Sequence, residues 1–191
     1  MVSIGDVVLI TTNRPGLYIT VQAKSHKYLS VRKVRFCMEF SGTQTIPASV
    51  DKVWTFLLDI NKVASCAPGF QSLEELGEEH WNAVVGVGVG TVKTKFTMDV
   101  TRPEMQEPER MVVKGRGKAP GSAVDMSGDI QLTTLDNEQT RMDWKASVVV
   151  SGTIASVGAR LLQGVAEKLT DQFFDRLKTK LQAADAAVTA E

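Results

Sequence analysis

A chain of 191 residues with 43% hydrophobic content can bury one sizeable core, which excludes general disorder. Twenty-two Lys and Arg offset twenty-two Asp and Glu, so the whole chain lacks the basic surplus of a nucleic-acid binder. Two isolated cysteines, Cys37 and Cys66, make no disulfide framework and fit a reducing cytoplasm. No apolar run reaches the ~18 residues of a membrane-spanning helix. The charges of the N-terminus follow its apolar run instead of preceding it, unlike a secretory signal.

The zero net charge hides an asymmetry. Residues 1–37 carry six Lys and Arg against one acid, Asp6, while residues 38–191 carry sixteen basic and twenty-one acidic groups. Within this basic N-terminal extension, Val7–Thr12 and Leu17–Gln22 are short β-like runs around Asn-Arg-Pro-Gly, a turn sequence, and could form a hairpin. The basic stretch from Lys24 to Arg35 is either a docking arm for an acidic membrane surface or an unstructured extension. The second reading is preferred, because a single basic run is a weak motif.

Met38–Ile46 alternates and reads as the first strand of the main body, 38–182. Pro47-Ala-Ser-Val-Asp opens a helix, with Ser49 as N-cap and Val50, Val53, Trp54 and Leu57 on its apolar face. Asp59 caps a second short helix, which Cys66-Ala-Pro-Gly ends. Six β-like segments follow: Phe70–Leu76, Trp81–Val89, Thr91–Thr101, Arg110–Gly115, Ala123–Leu135 and Arg141–Val150. Their period-two alternation means one buried and one wet face, the habit of antiparallel sheets. The inward faces favour Met, Val, Gly and Ala, including Met98, Met111, Met126 and Met142. Gly115–Ser122, rich in glycine and carrying two cations, reads as a mobile loop.

Thr153–Gln182 is the longest periodic stretch. Ile154, Val157, Leu161, Leu162, Val165, Leu169, Phe173, Leu177 and Leu181 draw one apolar stripe along a helix of roughly 45 Å. Gly158 and Gly164 in its first half leave room beside the backbone, as a ligand cavity or as plain packing. Residues 183–191 form a short tail. The order of strand, two helices, six strands and long helix predicts an α+β fold, a curved antiparallel sheet gripping the C-terminal helix.

No catalytic constellation is present in this pattern. His26 and His80 have no ligand cluster at metal spacing, so no metal site is expected. Cys66 has no histidine nearby to activate it. Gly86-Val-Gly-Val-Gly leads from strand into strand, with no helix N-terminus to hold a phosphate. Asp99, Asp125, Asp129 and Asp143 fall on polar faces.

Three separated stretches carry a resemblance: Cys66-Ala-Pro-Gly-Phe-Gln-Ser-Leu-Glu, Val89-Gly-Thr-Val-Lys-Thr-Lys-Phe, and Gly158-Ala-Arg-Leu-Leu-Gln-Gly-Val-Ala-Glu-Lys with Phe173-Phe174. In this order they resemble the CoxG family, the G subunit of carbon monoxide dehydrogenase, within the START-like, or SRPBCC, superfamily. The resemblance covers Met38 to Leu181 and implies the helix-grip fold, with seven strands around the long helix. It also implies a non-catalytic accessory protein that recruits a carbon monoxide dehydrogenase-type molybdenum hydroxylase to the inner membrane face and handles a quinone. Some relatives end in an amphipathic membrane anchor, whereas only the short tail follows the helix here. On the resemblance and the facing of side chains, the expected ligand is menaquinone or another isoprenoid or lipid. Phe96, Met98, Met111, Met126, Met142 and Trp144, with Val157, Leu161 and Val165, would line its pocket. Asn61–Phe70 and Lys118–Ala123 would gate entry, with Ile60, Val63, Pro68, Phe70 and Pro120 as the gate residues. The alternatives are a START-like cyclase or hydrolase, which needs a buried acid or base, and a partner-binding module whose cavity is incidental.

Overall fold

The structure is a computed structural model that describes residues 7–11, 17–22, 35–136 and 138–188, with side chains described for 35–136 and 138–183. The basic stretch from Lys24 to Val34 and the Asn-Arg-Pro-Gly sequence lie outside the described residues. Strands β1 (Val7–Thr11) and β2 (Leu17–Gln22) pair antiparallel. The chain continues through β3 (Arg35–Ile46), α1 (Val50–Leu58), α2 (Ile60–Cys66), β4 (Phe70–Gly77), β5 (His80–Val89) and β6 (Val92–Gln106). Strands β7 (Arg110–Ala119), β8 (Ser122–Leu135) and β9 (Gln139–Gly152) follow, then a 3-10 turn (Thr153–Val157) and α3 (Ala159–Val188).

Every neighbouring pair is antiparallel, in the order β1-β2-β3-β9-β8-β7-β6-β5-β4. Strands β3 to β9 form the expected seven-stranded sheet. The β1–β2 hairpin extends it at the β3 edge through Leu17↔Met38 and Tyr18↔Cys37. Register decides which side chains share the inner face. Met111, Val113, Gly115 and Gly117 of β7 stand opposite Ile130, Gly128, Met126 and Val124 of β8. These in turn stand opposite Trp144, Ala146, Val148 and Val150 of β9. Because the side-chain period is two, their charged neighbours all point outward.

The apolar core falls into two clusters, one at each end of α3. The lower cluster joins Val53, Trp54, Phe56 and Leu57 of α1 and Cys66 of α2 to Met111, Leu132 and Met142 of the sheet and Phe174, Leu177 and Leu181 of α3. The upper cluster joins Met38, Ala83, Val89, Phe96, Met98 and Val150 to Ile154, Ala155 and Leu162.

Four elements depart from the sequence reading. The first strand of the body starts at Arg35, three residues before Met38, because Phe36 continues its inward alternation opposite Val150. Strand β6 runs on through Pro103, and a register shift against β7 between Thr101 and Glu104 absorbs the residue that cannot donate to the ladder. Gly115–Ser122 is not a mobile loop. It continues β7 to Ala119 and turns at Pro120-Gly121 into β8. The glycines match the space left to them: a Cβ on Gly117 would stand 2.5 Å from Val124 Cγ1. The long helix is interrupted at Gly158, whose φ of 96° ends the 3-10 turn, so α3 begins at Ala159 and runs past Gln182 to Val188. An L-residue resists that left-handed backbone, which glycine adopts freely.

Candidate functional site

Helix α3 is held at both ends and loosely in between. Leu162 is buried in the upper cluster and Phe174, Leu177 and Leu181 in the lower one. No α3 residue between Leu162 and Phe174 is buried; Val165, Ala166, Leu169, Thr170 and Phe173 are all half-exposed. Beneath this stretch the sheet presents small residues or voids. A Cβ built on Gly128 would meet no heavy atom within 4 Å. Met126, on the same face two residues away, is 39% exposed. Ala146 stands opposite Gly128 on β9. We read this arrangement as an apolar slit between the middle turns of α3 and the centre of the sheet. Its floor of Gly115, Met126, Gly128 and Ala146 carries no ionisable group.

The residues expected to line a pocket divide around this slit. Phe96 and Met98 are buried above it in the upper cluster, and Met111 and Met142 below it in the lower cluster. Met126 opens onto it. Trp144 flanks it, with its ring 5.3 Å from that of Phe174 and its edge lying over Gly42. The Trp144 indole N–H is buried without an acceptor among the described residues. Val165 is half-buried on the helix side, and Val157 lies in the 3-10 turn against the upper cluster. Leu161 does not face the slit. It is 42% exposed and lies over the β5–β6 turn at Gly90. The break at Gly158 gives the buried place to Leu162 instead.

Both expected gates are tied to the framework. The Pro120-Gly121 turn accepts Thr153 N–H at 2.8 Å on the Gly121 carbonyl, and the Ser122 hydroxyl accepts Ile154 N–H at 3.1 Å. Pro120 itself is exposed. On the other side Ile60, Val63, Pro68 and Phe70 are half-buried along α2 and the turn behind it. There Gly86 N–H donates to the Gly69 carbonyl at 2.8 Å, and Arg176 donates to the Ala67 carbonyl at 3.3 Å. Asp59 caps α2 by accepting Lys62 N–H at 3.1 Å, as its place before the helix predicts. That hydrogen bond holds its carboxyl below the usual value, against the opposing effect of burial. Ser49 sits at the N-cap of α1 but makes no side-chain cap.

One group that the sequence reading missed ties the end of α1 to the sheet. Arg102 is 7% exposed. Its guanidinium forks onto Glu79, with Nη2–Oε1 at 3.0 Å, and donates Nη1–H to the Leu57 carbonyl at 2.9 Å. It also stands 5.1 Å above the Trp81 ring. A cation against the last carbonyls of α1 is favourable, and a bidentate carboxylate partner makes its burial tolerable. The one available signal was an arginine at the point where the β6 alternation breaks, beside Pro103.

Outside the slit the chemistry is that of a wet surface. His80 pairs with Asp99 at 3.0 Å, Arg116 with Asp125 at 2.9 Å, Arg110 with Asp129 at 2.7 Å, and Thr43 donates to Asp143 at 2.6 Å. Cys66 is fully buried and its thiol is pushed up by burial, against the pull of Lys180 and Arg176. Among the described residues no group of three or more His, Cys, Asp or Glu is placed to hold a metal. Two open depressions lie away from α3. One of about 390 Å³ is on the outer face around Lys114, Arg116, Asp125 and Ser127; one of about 530 Å³ is at the lower end between Val50, Arg110 and Thr133. Both are solvent-open and lined largely by polar residues; the first also includes Gly115 and Met126 of the strands it lies on.

A curved antiparallel sheet, two short helices after its first long strand and a C-terminal helix laid across the inner face define a START-like helix-grip domain. The family model for CoxG, the G subunit of carbon monoxide dehydrogenase, matches residues 42–182, and the chain belongs to that family. Among solved structures it is similar to a conserved protein from Geobacillus kaustophilus, 27% identical, with a TM-score of 0.72 over 77% of this chain and 97% of that one. The same fold recurs in the Zhui aromatase/cyclase from Streptomyces sp. R1128, 22% identical, TM-score 0.57, over 76% of this chain and 94% of that one. It recurs again in a START superfamily protein from Mycobacterium smegmatis, 12% identical, TM-score 0.58, over 76% and 98%. No curated protein matches the sequence. No helix among the described residues is long and apolar enough to cross a membrane.

Proposed function

We propose that this protein is a non-catalytic accessory subunit that binds an elongated apolar molecule, a quinone such as menaquinone or another lipid, between α3 and the sheet. In this role it links a carbon monoxide dehydrogenase-type molybdenum hydroxylase to the membrane quinone pool. The observation that carries the reading is the slit: a helix anchored at Leu162 and at Phe174 over a floor of Gly128, Ala146 and half-exposed Met126. Filling such a space recovers contact worth about 0.8 kcal/mol per buried CH₂. Methionine at its margin adapts to chains of irregular shape. Family membership supports the enzyme partner.

Native mass spectrometry after detergent-free purification is expected to show a co-purifying apolar molecule, and added menaquinone is expected to bind. A clean protein that also ignores menaquinone sinks the reading. The cyclase fold neighbour keeps an enzymatic reading in view. That reading needs an acid or base in the slit, where the described floor has only Gly, Met and Ala.

A further inference from the structure

Antiparallel connection brings alternate turns to opposite ends of the sheet, and here it also sorts charge. The β4–β5, β6–β7 and β8–β9 turns lie at the lower end. Residues 74–79, 104–109 and 135–138, in and beside these turns, hold nine Asp and Glu and no Lys or Arg. The β5–β6 turn, the β7–β8 turn and the 3-10 turn leading into α3 lie at the upper end. Residues 86–97, 117–124 and 151–166, which surround them, hold four Lys and Arg and no acid. One step below, Arg116 stands between Asp99 and Asp125. A chain of zero net charge thus has acids gathered beside its lower turns and unpaired cations, among the described residues, beside its upper ones.

The upper end is also a built surface. Gly121 and Ser122 are hydrogen-bonded to the 3-10 turn at 2.8 and 3.1 Å, and Leu161 covers Gly90, so the three turns are in contact. Exposed Leu161 and Pro120 stand at this end, and exposed Lys93, Lys95, Lys118 and Arg160 stand around them. None of those four cations has an ion-pair or hydrogen-bond partner among the described residues. A single exposed leucine is ordinary. A leucine in the first turn of a helix and a proline on a protruding turn, beside four cations that pair with no described residue, are a different matter.

We infer that this upper end docks on an anionic lipid bilayer. Three of the four cations are lysines, flexible point charges suited to a diffuse negative surface; a protein carboxylate is better matched by the planar fork of arginine. Protein interfaces fix register with charges of both signs, and this patch has one sign only. The acidic lower end is repelled by the same bilayer, so the molecule stands with α1 and α2 away from the lipid and the start of α3 against it. The inference rests on surface charge and holds whatever the slit contains.

The test is co-sedimentation of the full chain with vesicles of phosphatidylcholine, alone or mixed with phosphatidylglycerol. The expected result is binding to the mixed vesicles only, weakening as salt rises. Lys93→Gln/Lys95→Gln/Lys118→Gln should bind roughly a hundredfold more weakly, at about fivefold per lysine. Its melting temperature should stay within a degree or two of the parent, since these side chains pair with no described residue. Leu161→Ser should weaken binding with the charge intact. Lys24→Gln/Arg32→Gln/Lys33→Gln, in the N-terminal extension, should bind as the parent does. The inference is overturned if the parent ignores anionic vesicles, or if binding survives the tip substitutions and is lost with those of the extension. Menaquinone binding in detergent-free solution is measured on the same variants. It should be unchanged, so a failed dock and an empty slit give separate signatures.

Discussion

Two glycines on the inner face, eleven positions apart in sequence, face opposite fates on substitution. A Cβ on Gly128 meets nothing within 4 Å, whereas one on Gly117 would stand 2.5 Å from Val124 Cγ1 and also press on Met98. Gly128→Val therefore adds a β-branched side chain to a strand where space already exists. Removing the glycine's backbone freedom is worth about 0.5–1 kcal/mol, so the variant should be as stable as the parent or slightly more so. Gly117→Val must push aside packed side chains and should cost about 1–3 kcal/mol. In urea melts the two midpoints should move in opposite directions with slopes unchanged. For a chain of this size each kcal/mol is about 2–4 °C in Tm. Binding separates the readings further. Gly128→Leu projects a branched side chain into the slit and should weaken menaquinone binding at least tenfold while leaving the fold intact, about 1.4 kcal/mol. Intrinsic tryptophan fluorescence reports this, since Trp144 stands opposite Ile130, one inward position along β8 from Gly128. If Gly128→Val destabilises as much as Gly117→Val, the slit does not exist. If Gly128→Leu binds as the parent does, the ligand lies elsewhere.

Methionines that look alike in sequence should behave differently: Met142→Ala, at 1% exposure, should cost about 2–5 kcal/mol, and Met126→Ala, at 39%, less than about 1, by chemical denaturation. Arg102→Met leaves Glu79 without its partner and the end of α1 uncapped; it should cost about 3–5 kcal/mol, and Arg102→Lys should restore little, since an ammonium cannot fork. Hydrogen exchange in residues 57–66 should rise in both Arg102 variants, and an unchanged exchange pattern would deny the clamp its role. The Asp59 carboxyl titrates below its usual 3.8 chiefly because it accepts Lys62 N–H, so its contribution is full above that usual value and is lost as pH falls through the lowered one. Asp59→Asn should flatten the acid limb of Tm against pH. Burial raises the Cys66 thiol, so its contribution is full below the ordinary 9.0 and fades as pH rises past it. Iodoacetamide should label half-buried Cys37 well before Cys66 in the folded protein.

The sheet was legible because its strands alternate without interruption: Val124 to Leu132 and Met142 to Val150 each read inward at every second residue, and the register pairs them so. The α2 cap at Asp59 was legible for the same local reason. What local pattern could not give was phase and support. Leu161 and Leu162 both fit the stripe of a continuous helix, and only the left-handed backbone at Gly158 decides between them. The glycines of β7 suggested a loop because glycine weakens a strand, yet Gly115 and Gly117 are strand residues that make room for Met126 and Met98. Arg102 belonged to no motif, because its partners, Glu79, Leu57 and Trp81, are distant in sequence and meet only once the sheet curls over α1.

The slit follows from where support is available. A helix packs closely only where the surface beneath it is continuous, and α3 finds such surfaces at its two ends. Below, α1 and α2 rise from the sheet to meet Phe174, Leu177 and Leu181. Above, the 3-10 turn folds Ile154 and Ala155 down beside Leu162. Between these supports the sheet offers Gly128, beside which a Cβ would meet no atom within 4 Å, and Ala146 opposite it. Larger residues there would close the gap at no cost in fold, since they fit the strand geometry as well or better. The small residues thus do nothing for the fold that larger ones would not do better, which favours the reading that the space they leave is used.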